Sequence, residues 1–137
     1  MDENAVISAV CAYLAQRDYK ILQQLPTTSK GIDIIAKHPS KLGRLLIEAK
    51  GGTSSRVGSN RYGKPYDDTQ VFDRVGKGVY TAVCLCSQHE TTGDEVALAF
   101  PDLPLFRKHL SPTKPALLKL GIVVFLVDPT TLNVIVF

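Results

Sequence analysis

Cysteine and histidine are both scarce in this chain, at three residues each among 137. The cysteines, Cys11, Cys84 and Cys86, are odd in number, and two of them stand as C-x-C inside an apolar run. This argues against a paired disulfide framework and for reduced thiols in a cytoplasm. A structural zinc site takes four closely spaced Cys or His ligands, which the chain does not supply. Long hydrophobic runs are missing too, since none reaches the roughly 18 residues that a membrane span requires. The opening residues Met1-Asp2-Glu3-Asn4 are acidic, unlike the basic start of a secretory leader, so a cytoplasmic protein with no membrane partner is expected. Nor is there a strong excess of one charge: the net value is +3, which is compatible with nucleic acid without demanding it.

What is present is an ordinary globular composition, 45% hydrophobic and 21% charged, in a chain long enough for one core. Residues 1–137 are therefore read as a single domain. Residues 3–17 have the period of an amphipathic helix, with Val6, Val10, Tyr13 and Leu14 on its apolar face and Asp2 or Asn4 as its cap. A strand is expected over 19–25. A second helix is expected from near Thr69, with Val71, Val75, Val79, Ala82, Val83 and Cys86 as its apolar face. Gly76 and Gly78 weaken it and mark a place where it can break. Strands follow at 95–100, 122–127 and 132–137, with a proline-interrupted helical stretch between the first two. The order predicts an α/β domain: a mixed central sheet flanked by helices on both faces.

The centre of that plan is Gly31-Ile32-Asp33-Ile34-Ile35-Ala36, a basic turn, and then Leu45-Leu46-Ile47-Glu48-Ala49-Lys50-Gly51. Two short apolar runs joined by a turn predict a hairpin of buried strands. Alternation puts Glu48 and Lys50 on one face and Ala49 on the other. An aspartate, a glutamate and a lysine in such a setting are costly unless they pair or bind a cation. Glu-x-Lys alone carries little information, since a chain of this length holds one by chance roughly every second time. Its position at the end of an apolar strand, beside a second strand that begins with Asp33, is what gives it weight.

These residues resemble the PD-(D/E)XK nuclease and phosphodiesterase superfamily, in its resolvase-like or uncharacterised phosphodiesterase branches. The resemblance spans the first helix, Gly31-Ile32-Asp33, Ile47-Glu48-Ala49-Lys50 and the helix bearing Gln70 and Arg74. It implies a restriction-endonuclease-like fold, with Asp33 and Glu48 as metal-binding carboxylates and Lys50 as the catalytic lysine. The chain departs from the motif by carrying Ile32 where a proline is expected, and Gln70 does not precede a tyrosine at the usual spacing.

The chemistry is consistent with that implication. Phosphodiester hydrolysis needs charge stabilised on the attacking and leaving oxygens, which Mg²⁺ (with Mn²⁺ as a substitute) does well. Mg²⁺ takes oxygen ligands and keeps several waters, so two carboxylates and the Ala49 carbonyl suffice. Glu3 is either an additional carboxylate for the metal or a partner of its own helix dipole. Gln70 and Arg74, four apart on one helix, are either phosphate contacts or a solvated face. Arg56, Arg61 and Lys64, with Tyr62 and Tyr66 among them, suit a loop that grips a nucleic-acid backbone; the alternative is a plain polar loop. His38, His89 and His109 are read as surface residues. The expected function is DNA hydrolysis, and two cuts on a duplex make a homodimer attractive. The alternatives are a catalytically silent module of the same fold that binds nucleic acid or a partner protein, and a structural protein whose charges form an incidental ion pair.

Overall fold

The computed structural model describes residues 1–54, 58, 60 and 62–137. The first helix, α1 (Glu3–Ala15), starts where the Asp2 side chain accepts the Ala5 N–H at 2.9 Å, which satisfies one of the unpaired donors of the first turn. Its buried side chains, Val6, Ile7, Ala9, Val10, Cys11 and Leu14, recur at helical spacing and cover one face of a sheet.

That sheet has six strands in the spatial order of the sequence: β1 (Lys20–Gln24), β2 (Ile34–Lys37), β3 (Leu45–Ala49), β4 (Glu95–Pro101), β5 (Val123–Val127) and β6 (Val134–Val136). The pairs β1/β2, β2/β3 and β5/β6 are antiparallel, while β3/β4 and β4/β5 are parallel. Parallel neighbours need crossovers. They are supplied by α2 (Asp68–Gln88) between β3 and β4, and by α3 (Pro104–Leu110) and α4 (Lys114–Lys119) between β4 and β5. The three crossover helices cover the face opposite α1, so the central strands are buried on both sides and read as continuous apolar runs. Small side chains at Ala36, Ala49, Ala97 and Ala99 line the α1 face, and the larger Leu98, Phe100 and Leu126 fill the other. The mixed sheet with helices on both faces is the class expected from the sequence.

Two expectations about α2 need correction. The helix runs unbroken through Gly76 and Gly78, because Val71, Val75, Ala82 and Leu85 are buried along its length and hold it to the sheet. Val83 belongs to its outer face and is exposed, whereas Leu85 and Gly78 take part in the buried one. Pro112 does not end the α3 region outright: Ser111–Thr113 forms a single 3₁₀ turn that passes the chain into α4. The three histidines are half-buried, each with a local contact. His38 accepts the Ser40 N–H, His89 ends α2 beside Asp94, and His109 meets Asp68. All three cysteines are free. No helix among the described residues is long and apolar enough to cross a membrane.

Candidate functional site

The charged residues of the central hairpin come together at the carboxyl end of β3. Ile34 pairs with Ile47 across β2 and β3, so Asp33, one step earlier, lies opposite Glu48. Glu48 in turn pairs with Leu98, whose side chain lies in the α2-side core. Asp33, Glu48 and Lys50 therefore share the α2 face, where Lys50 and Glu48 are mostly covered. Gly31, at φ +134°, turns the chain into this position through a backbone region that L side chains rarely adopt.

Asp33 is the one charged residue that is buried as a whole, backbone included, among the described residues, 7% exposed. Its Oδ2 accepts the Ala49 N–H at 2.8 Å, which ties the start of β2 to the end of β3. Burial pushes the Asp33 carboxyl up to about 7; the Ala49 N–H and Lys50 pull against that, while Glu48 and Glu3 add to it. Lys50 donates to Glu48 Oε1, and also to the Ala49 carbonyl at 3.1 Å. One ammonium thus rests against two oxygens at the strand end.

Glu3 arrives from a different element. The Gly52 N–H donates to the Met1 carbonyl at 2.8 Å, and the Gly51 N–H donates to the Glu3 carboxylate, so the turn after β3 clasps the start of α1. The approach is close enough that a Cβ on Gly51 would lie 2.4 Å from the Glu3 nitrogen. Burial raises the Glu3 carboxyl above its ordinary value, Lys50 and Arg74 draw it down, and Glu48 raises it further. Glu3 is thus electrostatically part of the same cluster as Glu48, Lys50 and Arg74.

α2 begins beside this cluster. Asp67 caps it, accepting the Gln70 N–H at 2.9 Å, while Gln70 Oε1 accepts the Asp67 N–H at 3.0 Å. Gln70 is therefore engaged in a capping box. One turn later, Arg74 donates to the Tyr66 hydroxyl at 2.6 Å, and its guanidinium lies 4.9 Å from that ring's centre. The segment between β3 and α2 is sewn at its base by the Tyr66 N–H to the Gly52 carbonyl and by the Gly63 N–H to the Ser54 carbonyl. Lys64 and Tyr62 are exposed on it, and the expected backbone contacts Arg56 and Arg61 lie outside the described residues.

The structure thus gathers Asp33, Glu48, Ala49, Lys50, Glu3 and Arg74 around one strand end, with Gln70 at the adjoining helix cap. Among the described residues no three His, Cys, Asp or Glu side chains stand at metal-holding spacing. Lys50 lies against Glu48 and one Asp33 oxygen is held by the Ala49 N–H. Sequence reasoning missed two features. One is the clasp from Gly51 and Gly52 to the start of α1, for which the paired glycines after Lys50 were the only signal. The other is Tyr66 as the support of Arg74, which nothing in the sequence ties together.

No protein-family model matches the chain, and neither does any curated protein sequence. Among solved structures, the chain is similar to an XisH family protein from Nostoc punctiforme PCC 73102, known from a crystal structure at 1.60 Å resolution. The TM-score is 0.56 over 96% of each chain, at 13% sequence identity, so the likeness is one of fold.

Proposed function

We propose that the protein is a Mg²⁺-dependent nuclease (a phosphodiesterase) of restriction-endonuclease-like fold that hydrolyses the DNA backbone. One observation carries this reading: Asp33, Glu48, the Ala49 carbonyl and Lys50 meet at the end of β3, with Glu3 and Arg74 beside them. The donors are hard oxygens, the kind Mg²⁺ takes, and a cation, the Lys50 ammonium, already lies against two of them. On this reading Asp33, Glu48 and the Ala49 carbonyl would hold the metal once Lys50 leaves Glu48, and Glu3 would serve as a further carboxylate. When bound, Mg²⁺ or Mn²⁺ stabilises charge on the attacking and leaving oxygens and lowers the pKa of a coordinated water.

The remaining tasks fall to the chain. Lys50 turns from Glu48 towards the scissile phosphate, where it offsets negative charge and orients the water for in-line attack. Arg74, propped by Tyr66, donates charge-assisted hydrogen bonds to a phosphate oxygen. Gln70 contacts the same phosphate from the first turn of α2. Arg56, Arg61 and Lys64 hold the nucleic-acid backbone and set its register, the usual role of phosphate contacts.

A second reading, a catalytically silent module that binds nucleic acid or a partner protein, draws on the Lys50–Glu48 pair, which engages both residues with each other. The two readings separate in an assay on plasmid, linear and single-stranded DNA with Mg²⁺ or Mn²⁺. The nuclease reading expects metal-dependent cleavage that falls by roughly 10²-fold or more in Glu48→Ala and Lys50→Ala, the size of effect general acid–base and positioning groups contribute. It also expects Mg²⁺ to raise the melting temperature of the native chain but not of Glu48→Ala. Equal cleavage by both variants would sink it. No cleavage and no metal stabilisation in the native chain would favour the silent module.

A further inference from the structure

The pairing of Lys50 with Glu48 is built into the strand end itself. Lys50 follows the last residue of β3, and its N–H still donates across to the Ala99 carbonyl of β4, at 3.0 Å. Its side chain therefore leaves the same face as that of Glu48, two residues earlier. From there the ammonium folds back over Ala49, donating to that residue's carbonyl at 3.1 Å as well as to Glu48 Oε1.

Both acceptors are oxygens that the nuclease reading assigns to the metal. Two cations set on the same pair of oxygens repel one another strongly at such short range, so the ammonium and the metal exclude each other. The Lys50 and Glu48 side chains are only 13% and 12% exposed, and a pair so covered from water holds more firmly than one at the surface. The backbone on either side of Lys50 is fixed, at Ala49 by the Asp33 carboxylate and at Gly52 by the Met1 carbonyl. Exchange of ammonium for metal therefore needs only side-chain rotation, with the sheet left in place.

We propose that Lys50 is a tethered stand-in for the metal: in the free protein its ammonium occupies the Glu48 and Ala49 oxygens, and Mg²⁺ binds only by displacing it. The proposal rests on the nuclease reading, which supplies the metal, and adds how that site is regulated. Affinity for Mg²⁺ is lowered by the fraction of chains in which Lys50 lies on Glu48, because only the remainder is competent to bind. The displaced ammonium is then free for the scissile phosphate, so loading the metal and releasing Lys50 are one event. The consequence has the opposite sign from that of a ligand or a supporting residue. Removing Lys50 tightens the metal while cleavage falls.

Calorimetric titration of the purified full chain with Mg²⁺, without DNA, tests this. Lys50→Met keeps the stem, drops the charge and offers Mg²⁺ no hard donor. It is expected to bind Mg²⁺ about tenfold more tightly than the native chain, or better. Arg74→Gln is the comparison, since Arg74 acts on Glu3 in the same cluster but donates to the Tyr66 hydroxyl. Its affinity is expected to change by about threefold at most, the effect of a charge that blocks no ligand. A second measurement uses the native chain and so does not depend on how a variant folds. Acetylation by a water-soluble reagent, read by mass spectrometry, is expected to reach Lys50 several-fold faster at saturating Mg²⁺ than without it, with exposed Lys20 as the internal standard.

Lys50→Met binding no more tightly, an equal gain in Arg74→Gln, or labelling of Lys50 that ignores bound Mg²⁺ each overturns the proposal. If the native chain still binds Mg²⁺ and cleaves, the nuclease reading survives that outcome. Mg²⁺ bound by neither the native chain nor Lys50→Met, with no cleavage, overturns the nuclease reading and the proposal together.

Discussion

Asp33 illustrates how a single residue sets function against stability. Its carboxyl is buried and faces two further carboxylates, so in the isolated protein its charge is unfavourable, which is why burial raises it so far. Asparagine has the same shape and retains an oxygen that can accept the Ala49 N–H. Asp33→Asn is therefore expected to stabilise the metal-free chain by about 1 kcal/mol, a rise of a few degrees in melting temperature. On the nuclease reading the same change removes cleavage and the metal-induced shift. Thermal unfolding with and without Mg²⁺ measures both, and a destabilised Asp33→Asn would show that the charge is structurally useful. Lys50 is the converse case: among the described residues it pairs with Glu48 and acts on Asp33 and Glu3 as well, and its removal takes away the ion pair of Glu48. At this scale the sequence was informative. Asp33, Glu48 and Lys50 stand out because charged residues interrupt runs whose periodicity demands burial, and that conflict is visible without coordinates.

Among the elements, the connection from β3 into α1 does the most to assemble the site. Alternation along β3 fixes which face Glu48 and Lys50 occupy, but the clasp by Gly51 and Gly52 is what brings Glu3 to them. Gly51→Ala forces a Cβ against the backbone of Asp2 and Glu3, at 2.7 and 2.4 Å, and backbone cannot yield as a side chain does. It is expected to cost about 3 kcal/mol, the upper part of the usual range for point substitutions, and to displace Glu3. Gly78→Ala provides the control. Its Cβ meets side-chain atoms and no backbone, the edge of the Phe100 ring at 3.0 and 3.3 Å and Leu98 at 3.5 Å, while the helix gains about 1 kcal/mol from the better helix former. The two effects nearly cancel, so its stability is expected to stay close to that of the native chain. Chemical denaturation of the pair checks this, and equal losses in both would count against the clasp. The sequence suggested a break in α2 near Gly76 and Gly78 because helix propensity is a local quantity. The buried face of α2, from Val71 to Leu85, overrides it.

At the scale of the whole molecule, the end of the sheet opposite the site is closed by a second polar junction. Asp94 accepts the Arg44 backbone N–H at 2.7 Å and its guanidinium at 3.1 Å, and it stands 3.2 Å from His89. Burial pushes the Asp94 carboxyl up, but the hydrogen bonds from Arg44 and Thr92 outweigh this and hold it at about 2. A carboxyl depressed on folding stabilises the protein above its unfolded value, near 4, and that contribution disappears as the pH falls from about 4 to about 2. Asp94→Asn is expected to lose about 1 kcal/mol at neutral pH, allowing for solvent screening, and to show a flatter stability profile between pH 4 and 2. Denaturant unfolding across that range tests it, and parallel profiles for the two proteins would exclude the junction as the cause. By itself, the sequence determined the class of fold, the order of its elements and the charged residues of the central hairpin. Strand alternation and helical period are properties of short stretches of backbone, readable wherever apolar residues recur. Only the tertiary structure decided that Glu3 joins residues some thirty to seventy positions away, that Tyr66 supports Arg74, and which side of α2 stays bare. Those outcomes depend on how distant elements close on one another, and no local period encodes that closure.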